Sequence, residues 1–434
     1  MKVKFGEVAK QRKEFIVIDD DKEYKLCRVK LHRKGVLLRN IQKGISIKTK
    51  KQQVCKEGDF IVAEIDAKVG GYGFIPQELD GAIVSSHYYL FEIDENKLLK
   101  KFLDKLIKTE IIQEQIKAQG STNYSSIRPK DVLNLEIPLP SIEDQKKTIK
   151  KLEIFSNSNE FIFNEIENQE TYIKQLRQAI LQEAVQGKLV PQDPNDEPAS
   201  ELLKKIKAEK EKLIKEGKIK KEKPLPPISE SEIPYNLPQG WMWCRFIDIA
   251  NIASNLVNPN DYSNLPHIAP NNIQKETGKL LDYNTISEDK VFSSKHYFYK
   301  NQILYSKIRP NLSKVITINF EGLCSADMYP IKSFIDRFYL HKYMLSSTFL
   351  GFSVKNDTRV AMPKINQEEL NKILVPVPPI EEQERIVQKV DELMKFCDEL
   401  EHQIKQSKTH SEQLMQSILK EAFNSKHVEE LARV

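Results

Sequence analysis

The sequence IPLPSIEDQKKTIKKLE, residues 137–153, occurs in this chain in two related forms. The second is VPVPPIEEQERIVQKVDEL, residues 375–393. A single separation of 238 positions relates Pro138 to Pro376 and Lys188 to Lys426, with no gap between. A repeat of this length in constant register is not chance, and it is too long to be one unit of a solenoid. The sequence therefore predicts a molecule built from two duplicated halves.

Each copy has the signals of one long helix. Pro140-Ser141 and Pro378-Pro379 are helix-start signals, and acidic residues follow them in the first turn, where the helix dipole favours negative charge. Neither Pro nor Gly interrupts the first copy before Gly187. A helix of about 45 residues is about 65–70 Å long at 1.5 Å per residue. A helix of that length has no core of its own, so we expect the two to pack together.

The apolar residues of both copies recur at alternating intervals of three and four, which is typical of a coiled coil. Polar positions within this seam would fix its register. The alternative is two amphipathic helices lying on separate cores. The predicted seam is Leu152, Phe155, Asn159, Ile162, Ile166, Gln169, Ile173, Leu176 and Ile180 in the first helix, and Val390, Leu393, Cys397, Leu400, Ile404, Ser407, Ser411, Leu414 and Ile418 in the second.

The composition is that of a cytoplasmic protein with several folding units. The chain has 434 residues and a net charge of +5, so overall charge does not by itself indicate a nucleic-acid partner. The five cysteines are widely separated and contain no CxxC, which predicts reduced thiols. The histidines are not paired at ligand spacing, so we expect no metal site. No apolar run is long enough to predict a membrane helix.

Residues 24–56 carry eleven basic residues and no Asp or Glu, with apolar residues alternating among them. This alternation predicts strands with a basic outer face. A solvated charged surface is the other reading, although such surfaces usually mix the two signs. We favour contact with the phosphates and base edges of nucleic acid. The candidate residues are Lys25, Arg28, Lys30, Arg33, Lys34, Arg39, Lys48, Lys50 and Lys51.

Two stretches of the second half combine basic residues with Asn, Ser or Thr, the side chains that read bases and bind phosphates. Any surface loop can have such a composition, so this signal is weaker than the basic stretch. The first contributes Ser306, Lys307, Arg309, Asn311 and Lys314, and the second contributes Asn356, Thr358 and Arg359.

The halves are arranged in the same order. Phe5-Gly6-Glu7-Val8-Ala9 of the first globular segment matches Phe246-Ile247-Asp248-Ile249-Ala250 of the second, so these segments are also duplicated, though more diverged than the helices. We predict a globular segment at 1–136, a long helix at 137–190, a linker with a Lys/Glu-rich helix at 191–240, a globular segment at 241–374 and a long helix at 375–434.

Taken together, these features resemble the specificity subunits of type I restriction–modification enzymes. The resemblance rests on Ile137-Pro138-Leu139-Pro140 with Ile142 and Gln145, on their counterparts Val375-Pro376-Val377-Pro378 with Ile380 and Gln383, and on QAILQEAVQGKLVPQDPNDEPAS and LPPISESEIPYNLPQGW, residues 178–200 and 225–241. It covers essentially the whole chain. The first segment departs from the pattern, because Met1 lies level with Met242 and the lead-in LPQGW has no counterpart there.

The resemblance implies an α+β fold in which two globular α/β target-recognition domains are separated by two long antiparallel coiled-coil helices. Each domain would read one half of a split DNA site. Partners would be double-stranded DNA, two methyltransferase subunits and restriction subunits, with S-adenosylmethionine bound by the methyltransferase. The chain itself would have no catalytic residue, bound cofactor or metal. In the second domain, Ser306, Lys307, Arg309 and Lys314 match the family's strand–loop pattern.

Two other function classes remain. A single-chain DNA methyltransferase or nuclease would need a glycine-rich cofactor motif, an NPPY-type tetrapeptide or a clustered acidic site with Lys, and the sequence shows none of these. A non-enzymatic coiled-coil adaptor would account for the long helices. It would not account for the acid-free basic stretch.

The long helices should act as a ruler between the half-sites. Removing residues 166–172 together with 404–410 takes one heptad from each helix, keeps the seam in phase and shortens each by about 10 Å. Since a base pair occupies about 3.4 Å, the gap between half-sites should shrink by up to about three base pairs. Mapping methylated sites with the partner subunits present measures the gap. An unchanged gap would show that the helices do not set it.

Overall fold

The computed structural model describes residues 2–116, 126–253, 255–354 and 363–423. The chain forms two compact units. The first comprises Met1–Glu167 with Lys405–Val434, and the second comprises Asn168–Ile404. Each long helix therefore contributes its beginning to one unit and its end to the other.

The first unit contains most of the strands. They are β1 (Lys2–Lys4), β2 (Ala9–Arg12), β3 (Phe15–Val17), β4 (Glu23–Val29), β5 (Val36–Lys43), β6 (Lys51–Val54), β7 (Phe60–Ala63), β8 (Tyr72–Phe74), β9 (Ile83–Val84), β10 (Tyr88–Ile93) and β11 (Glu136–Pro138). Its helices are α1 (Lys100–Leu106), α2 (Glu110–Gln115), α3 (Pro129–Leu133) and the first part of α4 (Ile142–Val185). The chain makes a turn between α1 and α2.

The second unit repeats this order after a linker helix, α5 (Ala199–Lys215). Its strands are β12 (Met242–Arg245), β13 (Ala250–Ile252), β14 (Leu256–Val257), β15 (His267–Ile268), β16 (Lys295–Phe298), β17 (Ile303–Ser306), β18 (Val315–Thr317), β19 (Gly322–Cys324), β20 (Met328–Ser333) and β21 (Leu374–Val377). Its further helices are α6 (Phe246–Ile249), α7 (Arg337–Leu345), α8 (Ser347–Val354), α9 (Gln367–Lys372) and the first part of α10 (Ile380–Ala422).

Both units share an inner framework. The strand that opens each globular segment pairs antiparallel with the strand just before the long helix, β1 with β11 and β12 with β21. The four-stranded sheet β2-β10-β7-β8 has the same order and the same antiparallel pairings as β13-β20-β17-β18. The predicted α+β fold with internal duplication is confirmed.

The outer sheets are related but not identical. The order β3-β6-β9-β4 matches β14-β16-β19-β15 strand for strand, including one parallel pairing in each. Among the residues that the structure describes, strand β5 has no counterpart in the second sheet. The first unit therefore extends its outer sheet with an additional edge strand, and this strand belongs to the basic stretch.

A buried glutamine joins each long helix to its globular segment. The Gln145 amide oxygen accepts a hydrogen bond from the backbone N–H of Leu99, the residue before α1, at 2.8 Å, and its amide nitrogen donates to the carbonyl of Pro140 at 3.0 Å. Gln383 repeats both bonds, accepting from the N–H of Asp336 just before α7 and donating to the carbonyl of Pro378, each at 2.9 Å. Both glutamines are completely buried.

Within each unit the long helices contact one another. In the first, the Ser411 hydroxyl donates to the Asn159 amide oxygen at 2.7 Å. In the second, the Arg177 guanidinium binds the carboxylates of Asp398 and Glu401. Hydrogen bonds from Lys279 and Arg177 lower the pKa of Asp398, although partial burial works against them.

Some residues of the predicted seam are buried, and others are exposed. The apolar seam residues that are buried are Leu152, Ile166, Ile173, Ile180, Val390 and Cys397, and those that are half-buried are Leu393, Leu400, Ile404 and Ile418. The predicted seam residues that are exposed are Phe155, Ile162, Gln169 and Leu176 in α4, and Ser407 and Leu414 in α10.

The seam prediction was wrong at these exposed positions because the next residue takes the inward place. Successive residues project about 100° apart on a helix, so Phe163 and Arg177 are half-buried while Ile162 and Leu176 are exposed. Apolar spacing cannot choose between adjacent Ile162 and Phe163. Apolar spacing also predicts that an arginine lies outside the contact. In the structure, the carboxylates of Asp398 and Glu401 hold Arg177 at the contact between the helices.

The linker belongs to the second unit and packs against the start of α10. The Trp241 indole N–H donates to the Glu382 carboxylate at 2.9 Å, and the Gln192 amide donates to its other oxygen at 3.1 Å. Burial raises the pKa of Glu382. The first turn of α10 is thus tied to both ends of the linker. No helix in the described residues is long and apolar enough to cross a membrane.

Replacing Gln383 with Ala should destabilise the second unit, because the N–H of Asp336 and the carbonyl of Pro378 lose their partner. We expect a cost of about 1–3 kcal/mol, measured as a lower urea midpoint of unfolding. Gln388→Ala, at an exposed position of the same helix, is the matched control. Equal midpoints for both variants would show that the buried amide does not stabilise the unit.

Candidate nucleic-acid interface

The basic stretch of the first unit forms a hairpin at the edge of the outer sheet. Strands β4 and β5 pair antiparallel from Glu23 opposite Lys43 to Val29 opposite Val36. The register shifts between Leu26 and Cys27, which is a β-bulge. Cys27 and Val29 face the core, while Arg28 is exposed. The predicted alternation of apolar and basic residues is therefore present in β4.

The tip of the hairpin is anchored to the rest of the unit. His32 and Arg33 both adopt left-handed backbone conformations, with φ of 58° and 61°. Their N–H groups donate to the carbonyls of Val69 and Gly70 at 2.8 and 2.9 Å. The Arg33 guanidinium donates to the carbonyl of Thr109 at 3.0 Å. A hairpin held in this way presents its side chains from a fixed backbone.

Some of the predicted basic residues have partners within the unit. Lys25 donates to the carbonyl of Glu78 at 3.0 Å. Lys50 donates to the carbonyl of Gly44 at 2.8 Å and also pairs with Asp20. The Lys51 ammonium lies 5.0 Å from the centre of the Phe15 ring. These contacts, like that of Arg33, stabilise the hairpin and its neighbours and make these side chains less available to a ligand.

A second group of the predicted basic residues has side chains that are free to bind a ligand. Its members are exposed, and their side chains form no hydrogen bond or ion pair with the residues that the structure describes: Arg28, Lys30, Lys34, Arg39 and Lys48. Positive side chains without acidic partners on one hairpin and its flanking segment make a basic surface suited to phosphate groups.

In the second unit, the first predicted loop contains both framework and exposed residues. Ser306 is buried, and its hydroxyl donates to the carbonyl of Ile308 at 3.0 Å. The Lys314 ammonium donates to the carbonyl of Pro270. Burial, and to a smaller extent the nearby Arg309, lowers the pKa of Lys314. Ser306 and Lys314 therefore shape the loop, and a role for their side chains in DNA binding stays a prediction.

The rest of this loop is accessible. Arg309 and Asn311 are exposed, and Arg309 has a left-handed backbone with φ of 48°. Its N–H donates to the carbonyl of Pro363 at 2.8 Å, which fixes the backbone from which the guanidinium projects. The Lys307 ammonium lies 5.3 Å from the centre of the Tyr329 ring. The predicted residues Asn356, Thr358 and Arg359 lie outside the described residues.

The interface has features that a search for basic residues does not find. A recess of about 270 Å³ beside the hairpin is lined by Cys27, Arg28, Arg39 and Tyr88. Tyr88 comes from β10, far along the chain, and no local motif pointed to it. In the part of the chain described by the structure, no cluster of side chains could hold a metal ion.

Comparison with known proteins identifies the class to which this architecture belongs. The family model described as "Type I restriction modification DNA specificity domain" matches the chain twice, at residues 1–169 and 238–407. The chain belongs to this family of DNA specificity proteins. The two matches cover the globular segments and parts of both long helices.

Individual proteins that are similar to this chain are also type I specificity subunits. The type I restriction enzyme EcoDI specificity subunit of Escherichia coli is 39% identical over 325 residues, which cover 74% of this chain and 69% of the relative. The EcoAI specificity subunit of the same species is 38% identical over 270 residues, 60% of this chain and 46% of the relative.

Two solved structures share the fold. The HsdS subunit from Thermoanaerobacter tengcongensis has a TM-score of 0.50 at 19% identity, with 98% of this chain and 96% of that chain covered. A chain from a structure of assembly and conformational transition in a type I R-M system has a TM-score of 0.59 at 18% identity, with 98% and 97% covered.

Proposed function

We propose that this chain is the DNA-specificity subunit of a type I restriction–modification complex, in which each unit reads one half of a split DNA site. The observation that carries the proposal is the contrast between inner and outer sheets. The inner framework is built twice with the same pairings, whereas the outer sheets differ by an edge strand. Two units with the same inner framework and different outer sheets can each bind a different DNA sequence. This arrangement suits an asymmetric DNA site of two parts.

The exposed basic residues supply the affinity for DNA. Phosphate contacts give most of the sequence-independent attraction, and contacts to base edges give specificity. In the first unit, Lys30, Lys34 and Lys48 bind phosphates, and the hairpin lies along a groove. In the second unit, Lys307, Arg309 and Asn311 act from the loop between β17 and β18. Asn356, Thr358 and Arg359, which lie outside the described residues, stay DNA contacts predicted from the sequence.

Catalysis belongs to other subunits in this proposal. Two methyltransferase subunits bind the chain, hold S-adenosylmethionine and modify adenines at the site that the chain selects. Restriction subunits join the complex to cut unmodified DNA. The relatives that support this are named as specificity subunits of restriction enzymes, and one structural relative comes from a study of complex assembly.

The phosphate contacts are testable by charge removal. The triple variant Lys30→Gln, Lys34→Gln, Lys48→Gln should bind all DNA sequences more weakly, because three counterion-releasing contacts are lost. The slope of log affinity against log salt should become shallower by up to about 2.7, at about 0.9 per phosphate contact. Fluorescence anisotropy with the methyltransferase subunits present, over a range of salt concentrations, measures both effects.

The matched control removes the same charge elsewhere. Lys207, Lys212 and Lys215 are exposed on α5, and replacing all three with Gln should leave the slope near that of the unchanged protein. If both triple variants lose the same affinity and slope, the effect comes from net charge, and the hairpin is not the contact surface.

A further inference from the structure

One residue of the hairpin has an unusual position. In the pairing of β4 with β5, Leu26 lies opposite Asn40 and Cys27 lies opposite Leu38. Arg39 lies between them and has no residue opposite it, so it is the extra residue of the bulge. Bulges bend a strand locally and re-aim a side chain, and they are frequent beside functional sites. The bulge therefore gives Arg39 a direction that regular pairing would not.

Arg39 also lines a recess that can bind hydrogen-bond acceptors of a ligand. Arg28 on β4 and Arg39 on β5 share the recess with Tyr88, and no carboxylate lines it. Arg28 and Arg39 are exposed, and neither side chain has a hydrogen-bond or ion-pair partner among the described residues. Two guanidinium groups at one recess repel each other unless an acceptor-rich group lies between them. The recess thus suits a ligand that presents acceptors only.

The chemistry of arginine limits which chemical groups the recess can bind. A guanidinium is a rigid planar fork that forms two parallel hydrogen bonds to matched acceptors. In the major groove, guanine presents the acceptors O6 and N7 side by side, and arginine on guanine is the commonest specific contact. A two-stranded β-ribbon fits that groove, and β4–β5 is the edge hairpin of its sheet, joined to β9 through Leu26. A phosphate can form the same two hydrogen bonds with a guanidinium. A guanine contact differs from a phosphate contact because it makes binding depend on the DNA sequence.

The hairpin is rigid enough to discriminate between bases. Its tip is fixed by the backbone hydrogen bonds of His32 and Arg33 to Val69 and Gly70, and its β4 side packs on the core through Cys27 and Val29. Base reading needs a side chain held close to its productive geometry by supporting structure. Strand β5 has no counterpart in the described part of the second unit, so this contact belongs to one half-site only.

We propose that Arg39 is a specificity-determining residue that reads a guanine in the major groove of the half-site bound by the first unit, with Arg28 as its neighbour in the recess. The inference rests on the proposed function and deepens it. It separates Arg39, which would carry sequence information, from Lys30, Lys34 and Lys48, which would not.

The test uses the full chain with its methyltransferase subunits and DNA libraries randomised in the recognised site. Arg39→Ala should relax the requirement for one G·C pair and weaken binding to the preferred site by roughly 5- to 150-fold. Arg39→Gln should shift the preference at that position from guanine towards adenine, because Gln pairs with the N6 and N7 atoms of adenine. Binding to unrelated DNA should change far less.

The other half-site is an internal control for folding, because the second unit should select the same bases in every variant. Lys48→Ala, which also removes one exposed charge, should weaken binding to all sequences without changing the preferred site. If Arg39→Ala behaves like Lys48→Ala, with a uniform loss and a salt slope shallower by about one, Arg39 contacts a phosphate and the inference is wrong. An unchanged site and affinity would also overturn it. If the unmodified protein selects no site at all, the proposed function itself fails.

Discussion

The two buried glutamines Gln145 and Gln383 are the contacts on which the arrangement of each unit depends. Each amide bridges the carbonyl of a proline just before a long helix and the N–H of the residue just before a helix of the globular segment. A buried amide that lost these partners would leave several polar groups unsatisfied, so the joint has one favourable geometry. The orientation of a globular segment on the start of its helix is therefore fixed locally, and in the same way, in both units.

This constraint leaves the outer sheets free to differ. The strand ladders β1·β11 and β12·β21 and the inner sheets keep the same pairings, because they carry the buried residues that support the joint. The outer sheet lies beyond that core, and the added edge strand β5 pairs with β4 and not with a strand of the inner sheet. Sequence-specific binding needs this separation, since a reading surface has to vary without disturbing the structure that holds it. It also explains why the two halves of the sequence match in their helices and diverge in their globular segments.

Much of the fold could be predicted because its signals are regular. The register of the repeat gave the duplication, and the spacing of apolar residues gave the long helices. Spacing could not show that Phe163 and Arg177, rather than Ile162 and Leu176, face the partner helix, because an ion pair and the rotation of a helix are not local properties. The basic stretch was found from its charge. Charge alone could not separate Arg33, which holds the hairpin tip, from Arg39, or show that Ser306 is buried, because those distinctions depend on the folded neighbours Thr109, Tyr88 and Ile308.

The central claim is that each unit reads its own half-site from a common framework. An exchange of residues 246–374 for the corresponding segment of a family member with a different target, followed by mapping of methylated sites in cells that also contain the methyltransferase subunits, tests it most directly. The exchange leaves β12, residues 375–377 of β21 and Gln383 in place, and the new segment supplies the backbone N–H at the position of Asp336, so the joint to the long helix can re-form. The account predicts that one half of the modified site changes while the other half stays the same. A change in both halves would show that the two units read DNA jointly, and would contradict it.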